Sequence, residues 1–499
     1  MSVLNKLRLK PFEVFDSGFD KNGLKKAAVK GSMALMISQG SSFGLSLLNT
    51  IVLARLLSPS DFGIVGMVTV FINFMVLFKD AGLSTATIQQ DTISRDLISN
   101  LFWFNCLISI GLGVVIILSS PLVATFYNEP ELTLVTSAIS ISFIVQGLTI
   151  QHNALLQRHL KFTSIAIVDI IAHVSSLVVA IVMAYGGYRY WAIIGGGIAR
   201  AFTMLFLTIY VCPWVPGKLV RGTGVKKMMM FGGHITGSYI VGYIARNLDK
   251  VLIGKVIGAA ALGVYTRAFT LLTQPLAQIR GPLTTLSMPV MCNLKNDPDR
   301  YRNYFRQLLD ISISLTLPIT IYCFLESEFL INTLLGPKWQ DAIPIFKVLS
   351  IGGIFVAISG APGLVMLSQG LSKRYMNLTF VTISITSVAF LVGVNFGATG
   401  VAGAYSAASF LNMIPLIYFG FKDTPVRVRL VLESIAGPLF AGLIAGILGY
   451  LSMELKFNNE NLGHIFTAVI FFAIYAFFTL LRRKTRITLI AIKNSVFAN

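Results

Sequence analysis

The most unusual chemistry in this chain lies between residues 231 and 267. There a membrane-length helix, a tight turn and a returning helix carry five charged side chains: Arg246, Asp249, Lys250, Lys255 and Arg267. A charge at bilayer depth costs about 2.5 kcal/mol or more and usually faces a bundle interior or a water-filled path. Arg246 and Lys250 are four residues apart and share one helix face, which Asp249 neutralises only in part. This cationic face predicts that an anion binds or passes there. The alternative is that both cations snorkel to the outer interface.

The returning helix adds Arg280 to the basic residues of the second half. Prolines recur every seven residues along it, at Pro275, Pro282 and Pro289. Each removes an intrahelical hydrogen bond and is predicted to bend the helix. Bent helices around a cavity are typical of transporters. The alternative for Arg280 is contact with a lipid headgroup at the cytoplasmic end.

Polar residues also follow one face of the first apolar run. Gln39, Ser42 and Ser46 have helical spacing, and Asn49 lies close by. This pattern is compatible with a hydrophilic cavity for substrate. It is equally compatible with hydrogen bonds that hold packed helices together.

A carboxylate and an imidazole share a helix face further along, at Asp169 and His173, four residues apart. Such a pair can bind a proton or a Na⁺ and couple an ion gradient to movement. A satisfied buried hydrogen bond explains the same spacing.

The composition is that of a polytopic membrane protein. Of 499 residues 55% are hydrophobic and only 12% are charged, and the mean hydropathy is +0.75. The formal charge of +19 comes mainly from loops, so it indicates topology and anionic lipids rather than nucleic acid. No enzyme motif and no metal-ligand spacing is visible, so neither a catalytic residue nor a bound cofactor is predicted.

Fourteen apolar runs of membrane-spanning length can be distinguished. They cover residues 33–57, 62–78, 99–121, 132–150, 164–186, 191–211, 229–257, 260–290, 308–325, 343–368, 375–395, 399–421, 431–451 and 463–481. The fold class predicted is therefore an all-α bundle of about fourteen transmembrane helices.

The loops predict the orientation. Alternate connecting segments, including both termini, hold 29 of the 40 Lys and Arg residues. By the positive-inside rule both termini are expected in the cytoplasm.

An internal repeat appears at an offset of about 200 residues. Residues 48–65 read LNTIVLARLLSPSDFGIV, and residues 248–265 read LDKVLIGKVIGAAALGVY. In each copy a basic residue, Arg55 or Lys255, ends a polar-studded helix, and Gly63 or Gly263 opens the next one. Six spans separate the copies, so the repeat predicts two six-helix lobes of the same orientation followed by two further helices.

These patterns divide the chain into six predicted regions. They are a basic cytoplasmic segment (1–32), a first lobe (33–211), a cytoplasmic linker (212–228), a second lobe (229–421), a C-terminal helix pair (431–481) and a basic cytoplasmic tail (482–499).

The sign of the charges inside the first twelve spans favours an anionic substrate. The acids are Asp169, Asp249 and Asp310, and they are outnumbered by the bases Arg55, Arg200, Arg246, Lys250, Arg267 and Arg280. A pump for cationic drugs would need the opposite balance, whereas Arg forks suit a phosphate or diphosphate.

Several stretches resemble the polysaccharide flippases of the multidrug/oligosaccharidyl-lipid/polysaccharide exporter superfamily, which has a MATE-like fold. In the first half these are ARLLSPSDFGIVGMV, FKDAGLSTATIQQ and LSSPLVATFYNEPEL. In the second half they are LDKVLIGKVIGAAALGVYTRAF, MCNLKNDPDRYRNYFRQLL and LLGPKWQDAIPIFKVLS. The chain most resembles the Wzx-type flippases of lipopolysaccharide biosynthesis, of the colanic acid exporter kind.

This resemblance implies fourteen helices in two lobes around a cavity that opens to one side at a time. It implies a transporter of the bacterial inner membrane, not an enzyme. The substrate would be an oligosaccharide repeat unit on undecaprenyl diphosphate, flipped to the periplasmic leaflet for exopolysaccharide, capsule or O-antigen assembly. Expected partners are membrane lipids and the polymerase and chain-length machinery, and the coupling ion would be H⁺ or Na⁺. The diphosphate or acidic sugars would meet the matching basic residues, Arg55, Arg246, Lys250, Arg267 and Arg280.

Three alternatives remain open from the sequence. One is an ion-coupled drug or metabolite antiporter of the same superfamily, against which the cationic helices argue. Another is a membrane polysaccharide polymerase or ligase, which usually needs a larger outer loop than residues 326–342. The third is an uncoupled lipid scramblase or structural partner, which a role of Asp169 in coupling would exclude.

Overall fold

A computed structural model describes residues 21–79, 87, 94–220, 242–244, 246–453 and 460–481. These residues form helices joined by short turns, and no strand occurs among them, which confirms the all-α class. The helices before residue 246 are α1 (Lys21–Leu56), α2 (Pro59–Val76), α3 (Arg95–Tyr127), α4 (Leu132–Gly147), α5 (Ile150–Arg158), α6 (Phe162–Tyr185) and α7 (Trp191–Val211). Residues 246–252 are helical and run into a π-helical turn, Ile253–Ile257. There follow α8 (Ala259–Asn293), α9 (Pro298–Leu325), α10 (Ser327–Leu334), α11 (Ala342–Ser359), α12 (Ala361–Ser368), α13 (Ser372–Gly393), α14 (Gly397–Gly420), α15 (Val428–Met453) and α16 (Glu460–Leu481).

Ten helical stretches of the described residues are long and apolar enough to cross a membrane. The predicted multi-span architecture is therefore confirmed. The count of fourteen stays a prediction, because part of the predicted span 229–257 lies outside the described residues. In addition, α1 and α8 are helical but are not among the ten stretches.

Two short turns that the sequence predicted are present. Helix α6 ends at Tyr185 and α7 begins at Trp191, and Gly187 between them has φ +79°. Helices α13 and α14 meet at Gly397, which has φ +76°. Glycine suits both positions because a residue without Cβ adopts positive φ at little cost.

The described residues up to Gly263 form one compact unit. Within it α6 pairs with α7, α3 with α4, and α1 with α6. One buried cluster joins α3, α5, α6 and α7 through Phe102, Leu155, Val168 and Val211. The predicted helix start after the first span is well capped, since Ser58 and Asp61 bond each other's backbone N–H groups in a capping box.

The repeat at an offset of 200 residues is visible in this unit. Helices α2 and α8 begin at the equivalent residues Pro59 and Ala259, and they cross where the equivalent glycines lie. A Cβ on Gly63 would lie 1.7 Å from the Ala259 carbonyl oxygen, and one on Gly263 would lie 1.9 Å from the Pro59 carbonyl oxygen. Each segment thus offers the other the same contact, as a local two-fold relation between the two segments requires.

The residues from Val264 onward form the second compact unit. Helix α9 is central to it and packs against α11 and α15. Its core stripe follows every fourth position, which places the side chains on one helix face. The stripe consists of Tyr301, Phe305, Leu309, Ile313 and Leu317. The domain boundaries drawn from the sequence stay a prediction.

Candidate functional site: cationic side chains on helices predicted to span the membrane

The cationic face predicted at 246–250 belongs to the first unit. Arg246 is exposed, and its guanidinium lies back over Gly242, with Nη1 3.1 Å from the place a Cβ would take there. It makes no hydrogen bond or ion pair with a described residue. Lys250 donates from Nζ to the Asn247 side-chain oxygen at 3.0 Å. Asp249 is buried, with 2% of its surface exposed. The guanidinium of Arg246 therefore stays available to an anion.

An apolar groove of about 450 Å³ borders this face in the same unit. Its walls come from α2, from α3 and from Tyr243, Ile244, Asn247, Leu248 and Val251. The aromatic side chains of Phe71, Phe74 and Phe126 are among those that line it. Asn247, the residue that accepts from Lys250, also lines it. Tyr243 fixes the wall by donating to the Val70 carbonyl at 2.8 Å. A cationic edge beside an apolar groove suits an amphiphile with an anionic head.

Arg280 of α8 belongs to the second unit, where it is half-buried and lines a small cavity with both polar and apolar walls. The hydroxyl-bearing residues Thr284 and Ser312 line this cavity together with Gly360. No hydrogen bond or ion pair joins Arg280 to a described residue. The cavity measures about 50 Å³, which is room for about three waters and too little for a diphosphate. In this conformation Arg280 is a cation beside a cavity that has room only for a few waters.

Gly360 makes the position of Arg280 possible. It lies at the break between α11 and α12, and a Cβ there would fall 1.9 Å from the Arg280 Nη2 atom. Any side chain at 360 would occupy the place of the guanidinium. The sequence predicts a role for Arg280 but none for Gly360, because the apolar run 343–368 indicates one unbroken helix.

The other predicted substrate residues lie on α1 and α8. Arg267 and Arg280 share α8 but are thirteen residues apart, about 20 Å along a helix, so one phosphate cannot meet both. On α1, Gln39 is exposed, Asn49 is half-buried, and Arg55 is exposed in the last turn. Within the second unit, Arg267 and Arg280 are therefore separate cationic positions.

The predicted Asp169–His173 pair forms part of a larger network in the first unit. Arg200 of α7 donates to Asp169 Oδ1 at 2.9 Å, and Ser42 of α1 donates to Oδ2 at 2.7 Å. His173 Nε2 lies 3.7 Å from Oδ1. Each carboxylate oxygen therefore already accepts a hydrogen bond, and an ion that bound Asp169 would compete with Arg200 for Oδ1. The sequence predicts Arg200 as one of the cations inside the spans but does not predict its contact with Asp169.

A family model described as "Polysaccharide biosynthesis protein" matches residues 52–344, which is more than half of the chain. The chain belongs to this family.

The similar proteins include two curated relatives and one solved structure. Teichuronic acid biosynthesis protein TuaB of Bacillus subtilis (strain 168) is 25% identical over 393 residues, 78% of this chain and 80% of TuaB. Lipopolysaccharide biosynthesis protein WzxC of Escherichia coli (strain K12) is 25% identical over 403 residues, 79% of this chain and 81% of WzxC. The structure of lipid II flippase MurJ in an inward closed conformation matches with a TM-score of 0.74 at 14% identity, over 91% of this chain and 100% of MurJ.

For this polysaccharide biosynthesis protein, these findings confirm the family predicted from the sequence motifs. The likeness to MurJ confirms the predicted fold of the exporter superfamily. The individual roles of the basic residues stay predictions.

The Asp169–Arg200 contact predicts a coupled loss of stability in this polysaccharide biosynthesis protein. Asp169→Ala should leave a partly buried Arg200 without its carboxylate and lower the free energy of unfolding by about 2 kcal/mol. Arg200→Ala should cost a similar amount, and the double variant should cost clearly less than the sum. Denaturant unfolding in detergent, followed by intrinsic fluorescence, measures all three. His173→Ala is the matched control with a small expected effect, and additive single losses would contradict the pairing.

Sequence reasoning missed a second acid–imidazole pair, in the second unit. Glu326 follows α9 directly, its side chain is 2% exposed, and its Oε2 lies 2.9 Å from His464 Nδ1 of α16. The His464 ring stacks on Phe329 at 4.2 Å. Burial raises the pKa of Glu326, and the contact with His464 offsets part of this increase. The pair joins α16 to the end of α9, and its separation of 138 residues gave no sequence signal.

Proposed function

We propose that this chain is a flippase for a lipid-linked oligosaccharide, the repeat unit of an exopolysaccharide, capsule or O-antigen. It carries this amphiphile from the cytoplasmic to the periplasmic leaflet of the bacterial inner membrane. The observation that carries the proposal is the presence of two cations, Arg246 and Arg280, that make no ion pair with a described residue and lie on helices that the sequence predicts to span the membrane. Membership of a polysaccharide biosynthesis family and the names of the relatives TuaB and WzxC support the cargo class.

The chemistry of the cargo explains why such side chains are useful. A glycan cannot cross hydrocarbon unaided, because every hydroxyl would lose its hydrogen bonds. A diphosphate adds charge, which arginine binds through paired, charge-assisted hydrogen bonds. The groove beside Arg246 and Lys250 offers apolar contact to the first part of a prenyl chain. An undecaprenyl diphosphate carrier combines these three features in one molecule.

The proposal includes alternating access between the two leaflets, with both termini in the cytoplasm. The polymerase and the chain-length machinery that act on the delivered repeat unit would be its partners. In coupling to H⁺ or Na⁺ through Asp169, the ion would compete with Arg200 for the carboxylate during the cycle. Asp169→Asn would then abolish the dependence of flipping on an ion gradient, while the protein remains folded.

The direct test is the fate of the lipid-linked precursor in a strain that lacks this protein. Precursor in each leaflet would be measured by labelling with a membrane-impermeant, sugar-reactive probe, before and after complementation. A diphosphate-linked oligosaccharide that collects on the cytoplasmic face and clears on complementation supports flipping and identifies the sugar. Precursor that reaches the periplasm and stays unpolymerised would instead indicate an enzyme or partner that acts later.

Removal of the cationic face should stop transport. Arg246→Ala with Lys250→Ala is expected to lower export at least tenfold, because two charge-assisted contacts of about 1.5–3 kcal/mol each are lost. Export is measured as polysaccharide delivered to the surface, normalised to folded protein in the membrane. Arg300→Ala with Lys422→Ala, two exposed sites of the second unit, is the control of equal charge change. Full export by the Arg246/Lys250 variant would contradict the anionic-cargo assignment.

A further inference from the structure

One end of the second unit is strongly basic. The start of α9, the start of α13 and the loop between α14 and α15 meet there through shared ion pairs and core contacts. The basic residues of this end are Lys295, Arg300, Arg302, Arg306, Lys373, Arg374, Lys422, Arg427 and Arg429. The positive-inside rule assigns such an end to the cytoplasm, where the leaflet surface is anionic.

Most of the arginines at this end already have acidic partners. Arg300 pairs with Asp297 at 3.3 Å, and Arg302 pairs with Asp299. Lys295 and Lys373 are exposed and form no ion pair with a described residue. These two ammonium groups are therefore available to an external anion.

A crevice of about 600 Å³ opens beside these lysines. Lys373, Asn377 and Gly370 lie at its polar side, and Val381 and Phe419 form its apolar side. Both apolar side chains face outward, with 45% and 47% of their surface exposed. The Lys295 Nζ atom lies 3.5 Å from the place a Cβ would take on Gly370, so this lysine borders the crevice as well.

Arg374 lines the crevice, but its guanidinium is engaged in hydrogen bonds within the protein. Its guanidinium donates to the Lys422 carbonyl and to Asp423 Oδ2, the latter at 3.1 Å. These bonds tie the start of α13 to the loop after α14. They fix the shape of the crevice and leave its two lysines to bind a ligand.

The geometry points to a binding site for an anionic phospholipid of the cytoplasmic leaflet, with the headgroup phosphate between Lys373 and Lys295 and one acyl chain along Val381 and Phe419. Basic pockets between helices at the cytoplasmic side are suited to such headgroups. The apolar wall distinguishes a lipid from a free phosphate, since a soluble anion gains nothing from it. The site is separate from the residues assigned to the cargo and does not depend on the proposed function.

The experiment measures lipid retention on the full chain by native mass spectrometry, without any cargo. Dioleoyl phosphatidylglycerol is compared with dioleoyl phosphatidylcholine, on the unaltered protein and on Lys295→Gln with Lys373→Gln. The unaltered protein is expected to retain phosphatidylglycerol preferentially. Each lysine near the surface contributes about fivefold to this preference, so the preference should be about thirtyfold smaller in the double variant. Lys422→Gln, which removes an exposed lysine of the same basic end outside the crevice, should keep the preference.

Three outcomes would overturn the assignment. Equal retention of the two lipids would show that the protein does not distinguish an anionic headgroup from a zwitterionic one. An equal loss in Lys422→Gln would show a diffuse basic surface instead of a site. Displacement of the lipid by glycerol phosphate at the same concentration would show a free-anion site without an acyl-chain contribution. Phe419→Ser tests the apolar wall, and it should weaken retention of the phosphatidylglycerol while leaving the protein folded.

Discussion

Replacement of Gly63 by alanine is expected to lower the free energy of unfolding of this protein by about 3 kcal/mol. The added methyl carbon would lie 1.7 Å from the Ala259 carbonyl oxygen, and that atom belongs to the backbone of α8. A backbone atom cannot rotate away as a flexible side chain can, so the two helices must separate. Gly263→Ala should have a similar effect at the equivalent contact with Pro59. Thermal unfolding in detergent and the yield of monodisperse protein measure both losses.

Gly66 provides the control on the same helix. A methyl group there would be 3.4 Å from the Leu262 Cδ2 atom, an ordinary contact with a side chain. Because alanine favours the helix over glycine, Gly66→Ala should leave stability unchanged or raise it by up to about 1 kcal/mol. If Gly63→Ala were as stable as Gly66→Ala, the close crossing of α2 and α8 would be wrong.

The crossing of α2 and α8 shows which features of this part of the chain can be predicted from the sequence. Aligned at an offset of 200 residues, the repeat predicted that Gly63 and Gly263 open equivalent helices, and α2 and α8 begin four residues before them. The alignment could not predict that these helices meet each other at those glycines. Helix contacts depend on tilt and on the placement of distant segments, which hydrophobic periodicity does not encode.

The Asp169 network shows a different limit. Spacing placed Asp169 and His173 on one face, and the structure agrees, with 3.7 Å between Asp169 Oδ1 and His173 Nε2. The decisive partner is Arg200, which is 31 residues away and on the next helix. In an antiparallel pair with its turn near 188, Arg200 lies about level with residue 176 rather than 169. The long Arg200 side chain spans the distance from this level to Asp169. Residue spacing in the sequence does not predict in which direction such a side chain extends.

A strong effect on transport without a change in fold is also expected at Arg280. Arg280→Ala should lower export at least tenfold, because a charge-assisted hydrogen bond to phosphate is worth about 1.5–3 kcal/mol. Arg280→Lys keeps the charge but loses the planar fork, so it should recover only part of the export. Gly360→Ala should reproduce the loss with Arg280 still present, because the new methyl group takes the place of the guanidinium.

Gly281→Ala is the matched control for this comparison. Gly281 follows Arg280 on α8, and a methyl group there would have nothing within 4 Å. The guanidinium is the flexible end of a side chain, so Gly360→Ala should displace it with little loss of folded protein. Measuring both export and the yield of folded protein then distinguishes displacement of the Arg280 guanidinium from a loss of protein stability. If Gly360→Ala exported as well as Gly281→Ala, the placement of the Arg280 guanidinium would not matter, and the diphosphate would have to be bound by the cations of the first unit.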